Sequence, residues 1–235
     1  MSNTIRVLDM KLHRKQMMGE ALGTFALVFA GTGAIISNDV SRGSVSHVGI
    51  AITFGLIILA LIYALGDVSG AHFNPAVTLA FWAARRLEAG RVMPYIVSQC
   101  AGGIMASVLL RLLFPRHQTL GATLPAGSDT QSFVFEVVLT MLLMFVILSV
   151  STGAQEKGIT AAIAIGSVIG LEAMFAGPIS GASMNPARSL APAVVAGQLS
   201  SLWVYLLAPT VGALIGVLVC RGIREPGCCD GKCAA

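Results

Sequence analysis

The sequence predicts an all-α membrane protein: six transmembrane helices plus two re-entrant half-helices, arranged as an inverted repeat. Three observations carry this. Charged residues make up 11% of the 235 residues and apolar ones 55%, with a mean hydropathy of +0.82, whereas a soluble domain carries about 25% charge. Six apolar runs have the length a bilayer demands. And twelve residues are written twice, SGAHFNPAVTLA (Ser69–Ala80) and SGASMNPARSLA (Ser180–Ala191), 111 positions apart with eight identities.

The spans fall near Met17–Ser37, His47–Gly66, Val92–Phe114, Gln131–Ser151, Gly158–Gly177 and Ser201–Cys220. Each has about 20 residues, enough at ~1.5 Å per residue to cross a ~30 Å hydrocarbon core. Six spans put both termini on one side. That side holds Arg6, Lys11, Arg14, Lys15, Arg85, Arg86, Arg91, Lys157, Arg221, Arg224 and Lys232, against Arg42, Arg111 and Arg116 on the other. The excess predicts cytoplasmic termini. The N-terminal segment MSNTIRVLDMKLHRKQ leads into the first span without a clean cleavage site, so it reads as a cytoplasmic tail. The net charge of +4 is small and scattered, which argues against nucleic acid as a partner.

The duplication extends beyond the motif. Glu20 and Thr24 in span one match Glu136 and Thr140 in span four, and Tyr95, Gly102 and Ala106 match Tyr205, Gly212 and Gly216. The chain thus reads as one domain over 1–235, with repeats over about 17–114 and 131–222, joined by the polar stretch Arg116–Thr130, and a cysteine-bearing tail over 223–235. Three spans per half is odd, so the halves are inverted, and an inverted repeat brings its broken elements together near mid-membrane.

In each motif copy an Asn is placed to cap a helix and a Pro to occupy its first position, where the missing N–H costs nothing. The tails Pro75–Ala84 and Pro186–Ala196 reach only about 15–17 Å and cannot span. Two half-helices meeting end to end aim their positive dipole ends at one point. The loops Gly66–Phe73 and Gly177–Met184 then expose carbonyls, and the Asn74 and Asn185 amides point into a path for small neutral, oxygen-bearing solutes. Cations and excess protons are repelled by the local field.

From end to end the chain resembles the aquaporin, or major intrinsic protein, family. The resemblance rests on six spans, the motifs Asn74-Pro75-Ala76 and Asn185-Pro186-Ala187, the Arg188 after the second, and Glu20 and Glu136. It implies an aquaporin-like right-handed bundle and a homotetramer with a pore in each subunit; the spans show no nucleophile–base pair and no metal motif, so no catalysis, cofactor or metal is expected. Glu20 and Glu136 become buried acceptors for the loop amides. The resemblance also implies a four-residue selectivity ring near the outer mouth: Phe54, Ala173, Ala182 and Arg188. Water-selective relatives typically carry His at the place of Ala173, so two alanines predict a wider ring. The stretch GLEAMFAGPISGASMNPARSLAPAVV is similar to the nodulin-26-like branch and its bacterial relatives, associated with glycerol, urea and metalloid acids such as arsenite. Phe54 departs from the Trp common there.

Three features stand beside this. Glu172, next to Ala173, is either a buried acid held by a loop amide or the subunit interface, or a brace that partly neutralises Arg188. His72 is either a pH-dependent gate or, more simply, a permanent pore-lining donor. Cys228, Cys229 and Cys233 are expected, with Cys220, to be free thiols in a reducing cytoplasm; they form either a soft-ligand thiol site or an incidental cluster. The expected partners are water, small neutral solutes and the lipid bilayer of a plasma or inner cell membrane. The rival readings are a strictly water-selective channel, a coupled secondary transporter and a purely structural junction protein, which absent flux would favour; the two ring alanines argue against the first. The sparse ionisable groups in the spans argue against the second.

Overall fold

The computed structural model describes residues 3–151 and 159–232, with side chains described from Leu12 onward and not for Ile159. Lys157, Gly158 and Cys233 lie outside the described residues, as do the side chains of Arg6 and Lys11. The helices are α1 (Asn3–Val40), α2 (Ser46–Ser69), α3 (Pro75–Ala83), α4 (Ala89–Leu113), α5 (Asp129–Val150), α6 (Ile159–Ser180), α7 (Pro186–Ala196) and α8 (Leu202–Ile223). Among the described residues, six of these are long and apolar enough to cross a membrane, and many of their large apolar side chains face outward, such as Leu22, Leu56, Leu112, Leu171 and Leu218. The chain is a multi-pass membrane protein. α3 and α7, at 9 and 11 residues, are half-length.

The packing is two-fold. α1 packs on α2 and α4 as α5 packs on α6 and α8, each half-helix lies against the last span of the opposite repeat, and α2·α6 and α3·α7 meet across the axis. Close approach is permitted by glycines at matching positions. A β-carbon on Gly55 would lie 2.7 Å from the Gly166 carbonyl oxygen, and one on Gly166 would lie 2.6 Å from that of Gly55. Likewise Gly102 faces the Ala21 carbonyl and Gly212 that of Val137, at 2.0 and 2.3 Å from such a carbon. Small residues suit such crossings because helices in lipid associate through close van der Waals packing.

The expected re-entrant loops are shorter than the composition suggests. α2 continues to Ser69 and α6 to Ser180, because each helix is closed by a left-handed glycine, Gly70 (φ 84°) and Gly181 (φ 85°). Their amides return to the carbonyls of Gly66 and Gly177, both at 3.0 Å. Only four residues then separate each closing glycine from the first helical proline.

Candidate functional site

Each half-helix begins at its asparagine. Asn74 Oδ1 accepts from the Ala76 amide at 2.9 Å, and Asn185 Oδ1 accepts from Ala187 and Arg188 at 3.0 and 3.3 Å. The carboxamide is thereby turned so that its NH2 points at the other repeat. Asn74 Nδ2 donates to the Met184 carbonyl at 2.7 Å, and Asn185 Nδ2 donates to the Phe73 carbonyl at 2.8 Å. The sequence reading gave these amides wholly to the path. Instead, one hydrogen of each NH2 ties the two loops together, and the second remains for the cavity that both residues line.

The loops hold an unusual backbone. Ala71 and Phe73 in one copy, and Ala182 and Met184 in the other, have positive φ (52°, 50°, 41° and 54°), a conformation that costs non-glycine residues of order 1–3 kcal/mol and persists only where surroundings enforce it. The enforcing groups are two buried carboxylates. Glu20 accepts from the amides of His72 and Phe73 (3.0 and 2.7 Å), from Ser69 Oγ (2.7 Å) and from Gln99 Nε2 (2.7 Å). Glu136 accepts from the amides of Ser183 and Met184 (2.8 and 2.7 Å) and from Ser180 Oγ (2.8 Å). Tyr95 and Tyr205 complete the two-fold set, their hydroxyls donating to the carbonyls of Ser69 (2.7 Å) and Ser180 (2.6 Å).

A cavity of about 930 Å³ runs past these loops and is lined on the way by Leu27, Phe54, His72, Ile165, Arg188 and residues near Arg86. Phe54, Ala173, Ala182 and Arg188 all line it. Arg188 is buried, its Nη1 donates to the Gly121 carbonyl at 3.2 Å, and its guanidinium carbon lies 5.1 Å from the centre of the Phe54 ring. Its Nε has no hydrogen-bond partner among the described residues. At the 111-residue offset the four lining residues correspond to Ile165, Ile62, Ala71 and Val77, which line the same cavity. The two sets therefore differ in chemistry: the first includes a guanidinium and an aromatic ring, its counterpart only aliphatic groups.

His72 also lines the cavity, stacked on Phe81 with centroids 4.5 Å apart. Thr78 Oγ1 donates to the Asn74 carbonyl (3.0 Å), so it can only accept from Gln99 Nε2 (2.9 Å) and His72 Nδ1 (3.1 Å). The tautomer assigned by this network puts the proton on Nδ1. In the neutral ring with that tautomer, Nε2 is an acceptor.

Glu172 is not among the residues that line the cavity. It is 2% exposed within a single chain, and neither of its oxygens has a partner among the described residues. Among the described residues, neither a loop amide nor Arg188 bonds to it. The reason is helical phase: Ala173 faces the cavity, and the preceding residue is rotated about 100° away.

The tail departs further. Cys220 and Cys229 are joined as a disulfide, with Cα atoms 6.1 Å apart, where free thiols were expected. The turn over Cys228–Gly231 folds back under the end of α8 and brings Cys229 onto Cys220; sequence spacing alone gave no sign of this. Cys228 is buried on the same turn.

Some site residues gave little signal in the sequence. Gly121, whose carbonyl holds Arg188, and Thr123, whose Oγ1 donates to Ser189 Oγ at 2.8 Å, belong to the connection that read as a mere linker. His47 donates from Nε2 to the Met174 carbonyl at 2.7 Å. That carbonyl is left without an in-helix donor because Pro178, four residues on, has no N–H.

The family model described as "Major intrinsic protein" matches residues 8–220. The chain belongs to the major intrinsic protein family. It is 46% identical over 211 residues to "Aquaporin NIP1-1" of Oryza sativa subsp. japonica, covering 89% of this chain and 74% of that one. It is likewise 46% identical over 211 residues to "Nodulin-26" of Glycine max, covering 89% and 78%. Among solved structures, the aquaglyceroporin from Plasmodium falciparum is similar at a TM-score of 0.79 and 25% identity, over 87% of this chain and 93% of that one. A major intrinsic protein with a lined cavity between its two half-helices is a channel for water and small solutes.

Proposed function

We propose that the channel passes small uncharged hydroxylated solutes as well as water, passively and in both directions, and that its cargo includes glycerol, urea and trivalent metalloid acids such as arsenite. The reading rests on Phe54, Ala173, Ala182 and Arg188, which all line the cavity and of which two are alanine. Alanine at two of four positions leaves room beside the guanidinium for a molecule larger than water. Phe54 supplies an apolar wall for carbon or metalloid, and the unspent N–H groups of Arg188 supply donors for hydroxyls.

Exclusion of ions follows from the same parts. Two half-helix N-termini, each equivalent to about +0.5 charge, meet beside Asn74 and Asn185, and Arg188 adds a full charge. A permeating cation or proton meets this field in a low-dielectric passage, and the tied loops prevent rearrangement around it. Family membership and the outward-facing apolar surface support a homotetramer in a cell membrane, one pore per subunit. The distribution of Lys and Arg supports cytoplasmic termini. The relatives are channels, and this chain reads as a channel and not an enzyme.

Uptake by vesicles of purified protein tests this. Glycerol, boric acid and As(OH)3 should enter faster than into protein-free vesicles, without saturation and regardless of an imposed proton gradient. Uptake that saturates and tracks the gradient would instead identify a coupled transporter.

A further inference from the structure

The tail turn is not a loose end. Cys229 is 2% exposed and belongs to the same apolar cluster as Val217, Cys220 and Ala84. Its neighbour Asp230 accepts from Arg221 Nε and Nη2 at 3.2 and 2.9 Å, while Arg221 Nη2 also donates to the Ala83 carbonyl, the last residue of α3, at 3.1 Å. A methyl on Gly231 would lie 3.6 Å from Arg86 Nε. Arg86 in turn lines the cavity, lies over Phe81 at 5.0 Å, and through Phe81 meets His72. The Cys220–Cys229 pair therefore sits beneath a half-helix, next to the terminus-bearing mouth of the path.

We propose that, once reduced, Cys220 and Cys229 form a two-thiolate site for a trivalent metalloid at that mouth. The inference rests on the reading of the channel as metalloid-permeable. Two cysteines whose backbones let their sulfurs bond each other can also converge on one small thiophilic centre, and soft thiolates select such centres. A low-molecular-weight thiol reduces the pair, two of its molecules leaving as their own disulfide. As(OH)3 then exchanges two hydroxyls for two sulfurs: two As–O and two S–H bonds break, two As–S bonds form, and two waters leave. Arsenic stays trivalent, so no further oxidant or reductant is required. Access follows the lifting of the turn, which the Arg221–Asp230 pair holds at the surface.

The test uses the full-length chain, reduced in detergent and freed of reductant, with sodium arsenite as probe. Cysteines that remain reactive are alkylated and mapped by mass spectrometry. The expected result is loss of two reactive thiols per chain, mapped to Cys220 and Cys229, and a mass gain of one arsenic. Cys220→Ser and Cys229→Ser should abolish it, and Cys100→Ser on α4 should not. Because the mapping is done on the wild type, a variant that fails to fold does not decide the matter. Protection mapped to Cys228 and its tail neighbours without Cys220, or no protection at all, overturns the site. Arsenite flux into vesicles without protection overturns the site and leaves the pore reading intact. Protection without flux supports the site and overturns the metalloid reading of the pore.

Discussion

Replacing Glu136 should disable the channel without touching a residue of the path's narrow levels. Its two oxygens accept three hydrogen bonds, two of them from amides at Ser183 and Met184, and a group that only accepts is an ionised carboxylate. In Glu136→Gln the remaining oxygen keeps Ser180 and Ser183, but the new NH2 faces the Met184 amide, donor against donor. The lost bond to a charged acceptor costs about 2 kcal/mol, and losing all three in Glu136→Ala costs about 5 kcal/mol. Neither figure includes the left-handed Ala182 and Met184, which have no other anchor of this strength and should relax once released. Ala182 lines the path and Met184 carries the carbonyl that Asn74 grips, so relaxation closes or widens the passage. The assay is a thermal midpoint by size-exclusion chromatography together with water permeability per folded chain. Midpoints should fall in the order wild type, Gln, Ala, with permeability falling alongside. Wild-type midpoint and flux in Glu136→Ala would refute the argument that this carboxylate enforces the loop.

Arg188→Val copies the residue that the first repeat carries at Val77, so it should admit cations and raise proton leak, read with a pH dye inside vesicles, while keeping water flux. Gly102→Ala places a carbon 2.0 Å from the Ala21 carbonyl; overpacking of this kind costs about 1–3 kcal/mol or more, and the yield of monodisperse protein should collapse. Ala173→His should fill the open side of the Phe54–Arg188 level and reduce glycerol flux far more than water flux, measured on the same vesicles. Tyr205→Phe removes the donor to the Ser180 carbonyl and should lower the thermal midpoint modestly, by the equivalent of about 1 kcal/mol.

The duplicated stretch made the architecture readable because its chemistry is local. An Asn–Pro pair starts a helix wherever it stands, and a ten-residue apolar tail cannot cross a bilayer. Glu20 and Glu136 were readable for a related reason, since a carboxylate inside a span demands donors and the unwound loops have them. What the sequence did not disclose depends on where separate segments meet. The Gly121 carbonyl finds Arg188 because the connection between repeats folds inward, and the pairing of Cys220 with Cys229 depends on a turn of the tail. The direction of Glu172 depended on helical phase, and the acceptor face of His72 on the unseen neighbours Thr78 and Gln99. The differences between the two motif copies were visible, but their consequence emerged only when Val77 and Arg188 were found lining one cavity.

The proposed cargo depends on the passage beside Phe54, Ala173, Ala182 and Arg188 being wide enough for a hydroxylated solute. Light scattering from proteoliposomes mixed with hypertonic glycerol tests it in one trace. Rapid shrinkage as water leaves, followed by protein-dependent reswelling as glycerol enters, is the expected result. Vesicles that shrink quickly and reswell no faster than protein-free ones would contradict it.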